Sequence, residues 1–504
     1  MSSPVYSFLR TAYRLIDEGL LARLSPQAQR TLKKGVLSLA RRAFPRYISH
    51  SQVHSLIRVR PRPPAGALDR IPAWALEEAL MLRRHTDPSL VVDTSAKPHV
   101  VQTNHAPGAD AFRKLRDALS PRYDMVLFVP WLKPGGADLG VLHYCRALIA
   151  MGRRVAVVAT EASESPWASR LPPGVDFLEI GDAIAGLDEQ RGEPRAVITR
   201  ALLECRPGAI HIIGSRSAWD AVSQNGAAIA QATRIYASLF CDDYDADGVP
   251  VGLAVQFLPS CARHLTAVLS DNAHYPARWH DRWGIDRAHF HRVPFPAPDP
   301  MPDVAAMADA PTPGPQGESE GSGERPRLLW AGRLDRQKRP DILIELARSL
   351  PEFDWHIYGA QVVPGHGVDM APLRKLRNVS IMGAYSRFGD LLAGRYLAFV
   401  YTSQWDGLPN VLLEAARYLP IVAPAVGGIP ELLKRERLVP SIDDIPGFVE
   451  AVRRLHADTA LRQSWLEEQR RALDGHTQQR FMEHLGRVPG YFGAGDAGRW
   501  QEVG

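Results

Sequence analysis

Two carboxylates stand eight positions apart in the stretch Trp405–Leu432, WDGLPNVLLEAARYLPIVAPAVGGIPEL. Asp406 precedes a predicted helix start, and Glu414 follows it. Gly407 permits a tight turn there, and Pro409 suits a first helical position. Because a helix rises about 1.5 Å per residue, the two carboxylates would stand up to ~12 Å apart. They could therefore bind hydroxyl groups at opposite ends of an extended ligand, such as a hexose and a ribose.

The helix start between these carboxylates is also a candidate anion site. Backbone N–H groups in the first turn of a helix lack helical partners, and such groups bind phosphate. The N–H groups of Asn410, Val411 and Leu412 would lie in that turn, so a diphosphate could dock there. An ordinary acidic, amphipathic helix would show the same spacing, and the spacing alone leaves both interpretations open.

The segment resembles the acidic-pair motif of the retaining glycosyltransferases of family 4. Three further stretches resemble that family: RLLWAGRLDRQKRPDI at 327–342, MVLFVPWLKPGGADLG at 125–140 and VSIMGAYS at 379–386. The resemblance extends over most of residues 120–490. It implies an α/β protein with the GT-B fold, in which two Rossmann-like domains face a central cleft that holds a nucleotide sugar.

The resemblance also implies a role for each matching residue. Arg333 and Lys338 would neutralise the departing diphosphate, and Asp406 would contact the hydroxyls of the transferred sugar. These three are the predicted catalytic residues. Glu414 would bind the ribose hydroxyls. Because the two fixed cations could stand in for a metal, neither a metal nor a cofactor is predicted. The family retains the anomeric configuration. The other predicted donor-binding residues are Gly135, Gly136, Met382, Gly383, Gly407, Leu408, Pro409, Asn410 and Val411.

Two positions depart from the family pattern. Asp406 stands where Glu is usual, and its shorter side chain would alter the contact with the donor sugar. Arg339 stands where Gly is frequent, within the loop that carries Lys338. The first departure motivates a second hypothesis, a non-catalytic sensor or scaffold that binds a nucleotide sugar and keeps the GT-B fold.

The length and the pattern of apolar runs predict two domains with an appendage. At 504 residues and 45% hydrophobic, the chain has enough apolar material for two cores. Short apolar runs alternate with amphipathic stretches in a βαβ rhythm, which restarts after a stretch rich in Pro, Gly and Ser. No GxGxxG motif follows these runs, which disfavours a dinucleotide-dependent dehydrogenase. The predicted parts are a basic, largely helical extension at 1–120, an acceptor domain at 121–297, a flexible linker at 298–326, a donor domain at 327–480 and a C-terminal helix or tail at 481–504 that could return to the first domain.

The cysteines and the apolar runs predict a cytoplasmic protein. The four cysteines show no CxxC spacing, so neither a disulfide framework nor a zinc site is expected. Apolar runs such as Met125–Leu132 are far shorter than the ~20 residues that span a bilayer. The N-terminus also lacks the apolar core of a signal peptide.

The N-terminal region is strongly basic. Residues 1–62 hold twelve Lys or Arg against two acidic residues, a local charge of +10, whereas the remainder carries −5. Apolar residues between Val5 and Leu20 recur at helical spacing and predict a short amphipathic helix. Residues 1–46 could lie on the inner face of the membrane, which would suit a lipid-linked acceptor, or the apolar stripe could pack on the first domain. Nucleic acid is not an expected partner, because the basic residues have little aromatic interleaving.

Several other polar residues have simpler explanations than a catalytic role. Asp243 and Asp245, in CDDYDADG, imitate the DxD metal site of the other glycosyltransferase architecture, GT-A, but an acceptor-facing loop is the favoured interpretation. His211 lies within a predicted strand and is expected to be structural, whereas Ser215 after that strand could face the cleft. Glu431 is a weaker candidate near the donor, because it also suits the start of a helix.

The leading hypothesis is a metal-independent, retaining glycosyltransferase. It would move a sugar from a nucleotide-sugar donor to a cell-surface polysaccharide or a lipid-linked glycan. A manganese-dependent GT-A transferase that uses Asp243 and Asp245 is a more distant alternative, and the restart of the βαβ rhythm argues against it.

Overall fold

The computed structural model describes residues 77–81, 107–120, 122–189, 192–301, 325–361 and 368–493. Of the predicted N-terminal extension, it shows a helical turn over 77–81 and the helix Pro107–Leu119. The predicted amphipathic helix, most of the linker (302–324) and the end of the tail (494–504) lie outside the described residues. The chain forms two compact units, and both large sheets lie in the second unit, which comprises 115–181 and the residues from 198 onward.

The first sheet has seven parallel strands: β1 Met125–Val129, β2 Val155–Ala159, β3 Val175–Glu179, β4 Ala209–Ile213, β5 Arg234–Ser238, β8 Ala267–Ser270 and β9 Phe290–Arg292. They lie in the order β3-β2-β1-β4-β5-β8-β9, and the short strands Asp243–Tyr244 (β6) and Pro250–Val251 (β7) form a sheet of their own. Strands β1, β2 and β4 are buried along their whole length, as strands of a parallel sheet are when helices cover both faces. The helices between them are Gly136–Ala150, Gly181–Ile184, Glu193–Cys205, Arg216–Ala232, Leu253–Cys261 and His274–Trp283.

The second sheet has five parallel strands: β10 Arg327–Ala331, β11 Asp354–Tyr358, β12 Val379–Gly383, β13 Ala398–Val400 and β14 Ile421–Val422. They lie in the order β12-β11-β10-β13-β14. The helices are Ile342–Ser349, Ala371–Arg374, Phe388–Leu391, Asn410–Ala415, Ile445–Ala457, Thr459–Ala472 and Gln478–Gly486. The predicted α/β architecture with two Rossmann-like domains is confirmed.

The last described residues contact the first sheet. Tyr491 and the buried His211 share a hydrogen bond of 2.9 Å, and the Tyr236 hydroxyl donates to the carbonyl of Pro489 at 2.7 Å. Burial lowers the pKa of His211 to about 3, so the ring is neutral and serves packing, as its place in a strand predicts. The chain thus crosses from the second sheet back to the first before residue 493.

The structure differs from two local predictions, one for Ser215 and one for the helix after Asp406. Ser215 does not face a cleft: it is fully buried, its hydroxyl accepts from the N–H of Ala218, and it shares a 2.8 Å hydrogen bond with Thr160. It therefore caps the helix Arg216–Ala232, as Ser commonly does at that position. The helix after Asp406 begins at Asn410 with Pro409 as its cap, one residue later than predicted.

All four cysteines are free. Within the described residues, no helix is both long enough and apolar enough to cross a bilayer.

Candidate functional site

The candidate site lies at the carboxyl ends of the parallel strands, where open α/β folds place their ligands. Loops from the two sheets touch there. Asn410 donates from its side chain to the carbonyl of Gly136 at 3.2 Å, and the N–H of Leu408 donates to the carboxylate of Asp271 at 3.0 Å. Gly136 starts the helix after β1, and Asp271 directly follows β8.

Lys338 and Asp406 form a mostly buried ion pair at the centre of the site, with side chains 12% and 16% exposed. The Lys338 ammonium also donates to the Tyr401 hydroxyl at 2.5 Å, and Tyr401 in turn donates to Asp406 at 2.5 Å. Ser403 adds a hydrogen bond of 3.3 Å to the same carboxylate. Burial alone would raise the pKa of Asp406, but Lys338, Tyr401 and Arg333 together outweigh it, and the pKa lies below its ordinary value. The carboxylate is therefore ionised and held in one place.

A short 3₁₀ turn, Arg336–Lys338, positions the lysine. Asp335 caps it by accepting from the N–H of Lys338 at 3.2 Å. The next residue, Arg339, has φ of 47°, in the left-handed region that favours glycine. Ion pairs of its guanidinium with Asp341 at 2.9 Å and Asp443 at 3.1 Å hold this conformation. The loop thus keeps the backbone shape that glycine would give, although arginine occupies the position.

Arg333 lies beside this pair. It follows β10, donates to the Gln337 side chain at 2.5 Å and lies 3.3 Å from the carboxylate of Asp335. Its side chain is 39% exposed, and its charge contributes to the lowered pKa of Asp406. The structure therefore brings the three predicted catalytic residues, Arg333, Lys338 and Asp406, into one cluster.

Asp271 is a site residue that the sequence analysis missed. Its carboxylate lies so close to Gly407 that a Cβ there would come within 2.7 Å of it, so only glycine fits. Burial raises the pKa of Asp271 to about 7 despite hydrogen bonds from Asn272 and Leu408. One signal in the sequence could have found it: the pair Asp271–Asn272 directly follows the apolar run LTAVLS, just as the other candidates follow theirs.

Glu414 lies apart from the ion pair, near the end of the helix Asn410–Ala415. Among the described residues, no hydrogen bond or ion pair joins it to Arg333, Lys338 or Asp406. Burial raises the pKa of Glu414 to about 7, and the positive charge of Arg170 opposes that shift. Arg170 belongs to the first sheet's connections, in the 3₁₀ helix Pro166–Arg170. Glu414 therefore occupies a separate, partly buried environment.

The other predicted donor-binding residues lie at helix starts and at a strand end. Gly135 caps the helix Gly136–Ala150, and a Cβ on Gly136 would come 3.3 Å from the Asn410 side chain. Pro409 caps the helix in which Asn410 and Val411 are the first two residues. At the end of β12, Met382 is 48% exposed and Gly383 accepts from the N–H of Gly359 at 2.8 Å.

Glu431 holds the two sheets' loops together. One of its carboxylate oxygens accepts from the N–H of Ala273 at 2.7 Å, and the other pairs with Arg292 at 2.6 Å. Both partners belong to the first sheet's part of the chain, whereas Glu431 follows β14. Glu431 therefore connects the loop after β14 to the first sheet's part of the chain.

The DxD-like segment forms a small hairpin from β6 Asp243–Tyr244 and antiparallel β7 Pro250–Val251. Asp245 accepts from the N–H groups of Asp247 and Val249, both at 2.9 Å, and so stabilises the turn. Across the described parts of the chain, no three His, Cys, Asp or Glu side chains are grouped in a way that could hold a metal ion.

The chain is similar to known proteins in part of its sequence and in its fold. Residues 325–458 match the family model described as glycosyl transferases group 1. Sucrose-phosphate synthase from Thermosynechococcus elongatus has a similar structure, with a TM-score of 0.55 and 16% identity over 73% of this chain and 98% of that one. No curated protein matches the chain in sequence.

Two further solved structures show the same likeness. A glycosyltransferase from Rickettsia africae ESF-5 has a TM-score of 0.53 and 12% identity, over 76% of this chain and 99% of that one. WaaG, a glycosyltransferase involved in lipopolysaccharide biosynthesis, has a TM-score of 0.51 and 15% identity, over 73% of this chain and all of that one. The chain therefore has the GT-B fold, and its second Rossmann-like domain carries the match to group 1 glycosyl transferases.

Proposed function

We propose that this protein is a retaining, metal-independent glycosyltransferase that moves a sugar from a nucleotide-sugar donor to a glycan or lipid-linked acceptor. The observation that carries the proposal is the buried Lys338–Asp406 ion pair with Arg333 beside it. It lies in the segment that matches group 1 glycosyl transferases, at strand ends that contact the glycine loop of the first sheet.

The chemistry follows from where charge develops. Transfer breaks the bond between the anomeric carbon and the diphosphate, so negative charge grows on the leaving phosphate. Arg333 can bind two phosphate oxygens with its planar guanidinium, and Lys338 supplies a compact positive charge. Because both are held by protein contacts before the donor arrives, little reorganisation is needed in the transition state. In this proposal the leaving phosphate takes the acceptor's proton on the same face of the sugar, which retains the configuration.

The two carboxylates would bind different parts of the donor. Asp406, held by Lys338 and Tyr401, would accept hydrogen bonds from hydroxyls of the transferred sugar. Glu414, in its separate environment, would accept from the ribose hydroxyls. The spacing of eight residues, up to ~12 Å of helical rise, is the basis for assigning them to opposite ends of an extended ligand.

A panel of nucleotide sugars tests the proposal in two steps. Binding of the right donor at a hundred times its dissociation constant should stabilise the protein by about 2.7 kcal/mol, which thermal unfolding detects. Sugar transfer or donor hydrolysis should then collapse in Lys338→Ala and Glu414→Ala. The exposed residues Lys375 and Glu345 of the same domain supply matched controls, Lys375→Ala and Glu345→Ala, which should keep full turnover. Undiminished turnover in both site variants would overturn the proposal.

A non-catalytic nucleotide-sugar sensor or scaffold is the second candidate function. It is favoured by the hydrogen bonds from Lys338, Tyr401 and Ser403 that already occupy one oxygen of Asp406. Such a protein would show thermal stabilisation by a donor without turnover across a broad set of acceptors. Measurable transfer to any acceptor, lost in Lys338→Ala, would exclude it.

We also infer a location for the protein from the proposed acceptor. A lipid-linked acceptor would place the protein at the inner face of the cell membrane, with residues 1–46 as the contact. Flotation of the full chain with anionic vesicles, compared with a variant that lacks residues 1–46, tests this arrangement.

A further inference from the structure

A cavity of about 280 Å³ lies away from the candidate site. It is lined by Ile421 at the amino end of β14, by the segment that follows Glu431 and by the helix Thr459–Ala472. The candidate site lies at the carboxyl ends of the strands, so the cavity opens near the opposite end of β14. Its volume is close to the lower end of the range for small-molecule sites, about 300–1,000 Å³.

The cavity combines an apolar wall with a basic rim. Leu432 and Leu433 are buried and contribute the apolar wall. Lys434 and Arg437 line it as well, and both approach the carboxylate of Glu468, at 3.3 and 3.7 Å. One carboxylate cannot balance these two cations together with Arg471, which also lines the cavity, so the rim keeps a net positive charge.

Two buried hydrogen-bond donors at this cavity have no acceptor among the described residues. They are the indole N–H of Trp465 and the Nε–H of Arg437. Trp465 is only 6% exposed, and the Arg437 guanidinium lies 5.3 Å from the centre of its ring. A buried donor without an acceptor costs about 1–3 kcal/mol, and most buried donors in native proteins have a partner. Both donor atoms are closed to solvent, so a ligand oxygen would satisfy them once their side chains turn toward the cavity.

We propose that this cavity is a binding site for a small amphipathic anion. An apolar chain would lie against Leu432 and Leu433, and a phosphate or carboxylate head would accept from Arg437 and Trp465 beside Lys434. A ligand with only an apolar chain would leave the cationic rim without an acceptor, and a ligand with only an anionic head would leave the apolar wall uncovered. The site is distinct from the proposed donor site and does not depend on the proposed function.

Calorimetric titration of the full chain with octyl phosphate, below its micelle concentration, tests the proposal. Octyl phosphate should bind with one site per chain, at least tenfold more tightly than inorganic phosphate or 1-octanol. Arg437→Gln should weaken binding about tenfold or more, and Trp465→Phe, which keeps the ring but removes the N–H, should weaken it severalfold. Arg374→Gln, an exposed arginine of the same domain that does not line the cavity, should leave binding unchanged.

Further variants separate this site from the donor site and from a fold defect. Lys338→Ala should bind octyl phosphate as the wild type does, and Leu433→Trp, which fills the cavity, should abolish binding. If Leu433→Trp does not fold, Lys434→Glu replaces it, because it reverses the charge of the exposed rim. Absence of octyl phosphate binding, equal affinity for inorganic phosphate, or loss of binding in Lys338→Ala but not in Arg437→Gln would each overturn the proposal.

Vesicles identify the source of the anion. Flotation with phosphatidic acid vesicles that is lost in Arg437→Gln would make a membrane lipid the ligand. Octyl phosphate binding without such flotation would make a soluble amphiphile the ligand. Both results support the site and differ only in what occupies it.

Discussion

The carboxylate of Asp271 accepts a hydrogen bond from the backbone N–H of Leu408 at 3.0 Å, although the two residues lie 137 positions apart in the chain. This bond joins the loop after β8 to the loop that carries Asp406. Leu408 belongs to the turn that we expect to face the donor. Asp271 therefore fixes the shape of that turn when no anion is bound there.

Replacement of Asp271 by Asn should change how stability depends on pH. The pKa of Asp271 is raised to about 7, well above the ~3.9 of an unfolded aspartate, so the folded state holds the proton more tightly. This group therefore lowers the free energy of unfolding as pH rises from about 4 to 7, by up to about 1.4 kcal/mol per pH unit. Asn keeps an acceptor for Leu408 but cannot ionise.

Chemical denaturation of wild type and Asp271→Asn at pH 5, 6, 7 and 8 provides the measurement. The stability of the variant relative to wild type should increase up to about pH 7 and then level off. A constant difference between the two proteins across this range would show that Asp271 has an ordinary pKa.

Donor binding should depend on the ionisation of Glu414. Its pKa is raised to about 7 by burial, and the ionised carboxylate accepts stronger hydrogen bonds from two hydroxyls than the protonated carboxyl group does. Donor affinity should therefore rise between pH 6 and 8. In Glu414→Gln the affinity should be lower and this rise should disappear, as titration with the donor found in the panel would show. An equal pH dependence in both proteins would remove Glu414 from the donor site.

At Arg339 the glycine variant should be more stable than the alanine variant, whereas the reverse should hold for an arginine within a helix. Its left-handed backbone suits glycine, so Arg339→Gly should be more stable than Arg339→Ala by about 1 kcal/mol. At Arg348, an exposed residue of the helix Ile342–Ser349, Ala should instead be more stable than Gly by about 1 kcal/mol. Denaturant titration of the four variants measures both differences. The same order at both positions would contradict the left-handed assignment.

The ion pair between Glu431 and Arg292 should couple the loops of the two sheets. Glu431→Ala removes the acceptor of the Ala273 N–H as well as the ion pair, and should cost about 1–2 kcal/mol of stability. Combined with Arg292→Ala in a double-mutant cycle, it should show a coupling of about 0.5–1 kcal/mol, since both side chains are partly exposed. Additive effects would mean that the pair contributes nothing.

Much of the architecture follows from local sequence patterns. Strands such as Met125–Val129 are apolar runs bounded by loop residues, and burial between helices is the only stable place for them. The shared location of Lys338 and Asp406 also follows from local patterns. Each follows a strand, and the carboxyl ends of parallel strands meet at one edge, so their shared location could be predicted without coordinates.

The tertiary structure decided which distant residues meet. Nothing near Asp271 in sequence indicates Leu408 as its partner, and nothing near Glu431 indicates Arg292, because such contacts depend on strand order and on how loops from two sheets come together. Ser215 shows the same limit, since a position after a strand fits both a ligand contact and the helix cap that it forms. Local patterns specify the elements and their ends, whereas partners far apart in the chain follow only from the packing of those elements, because burial acts on the assembled surface and not on the sequence neighbourhood.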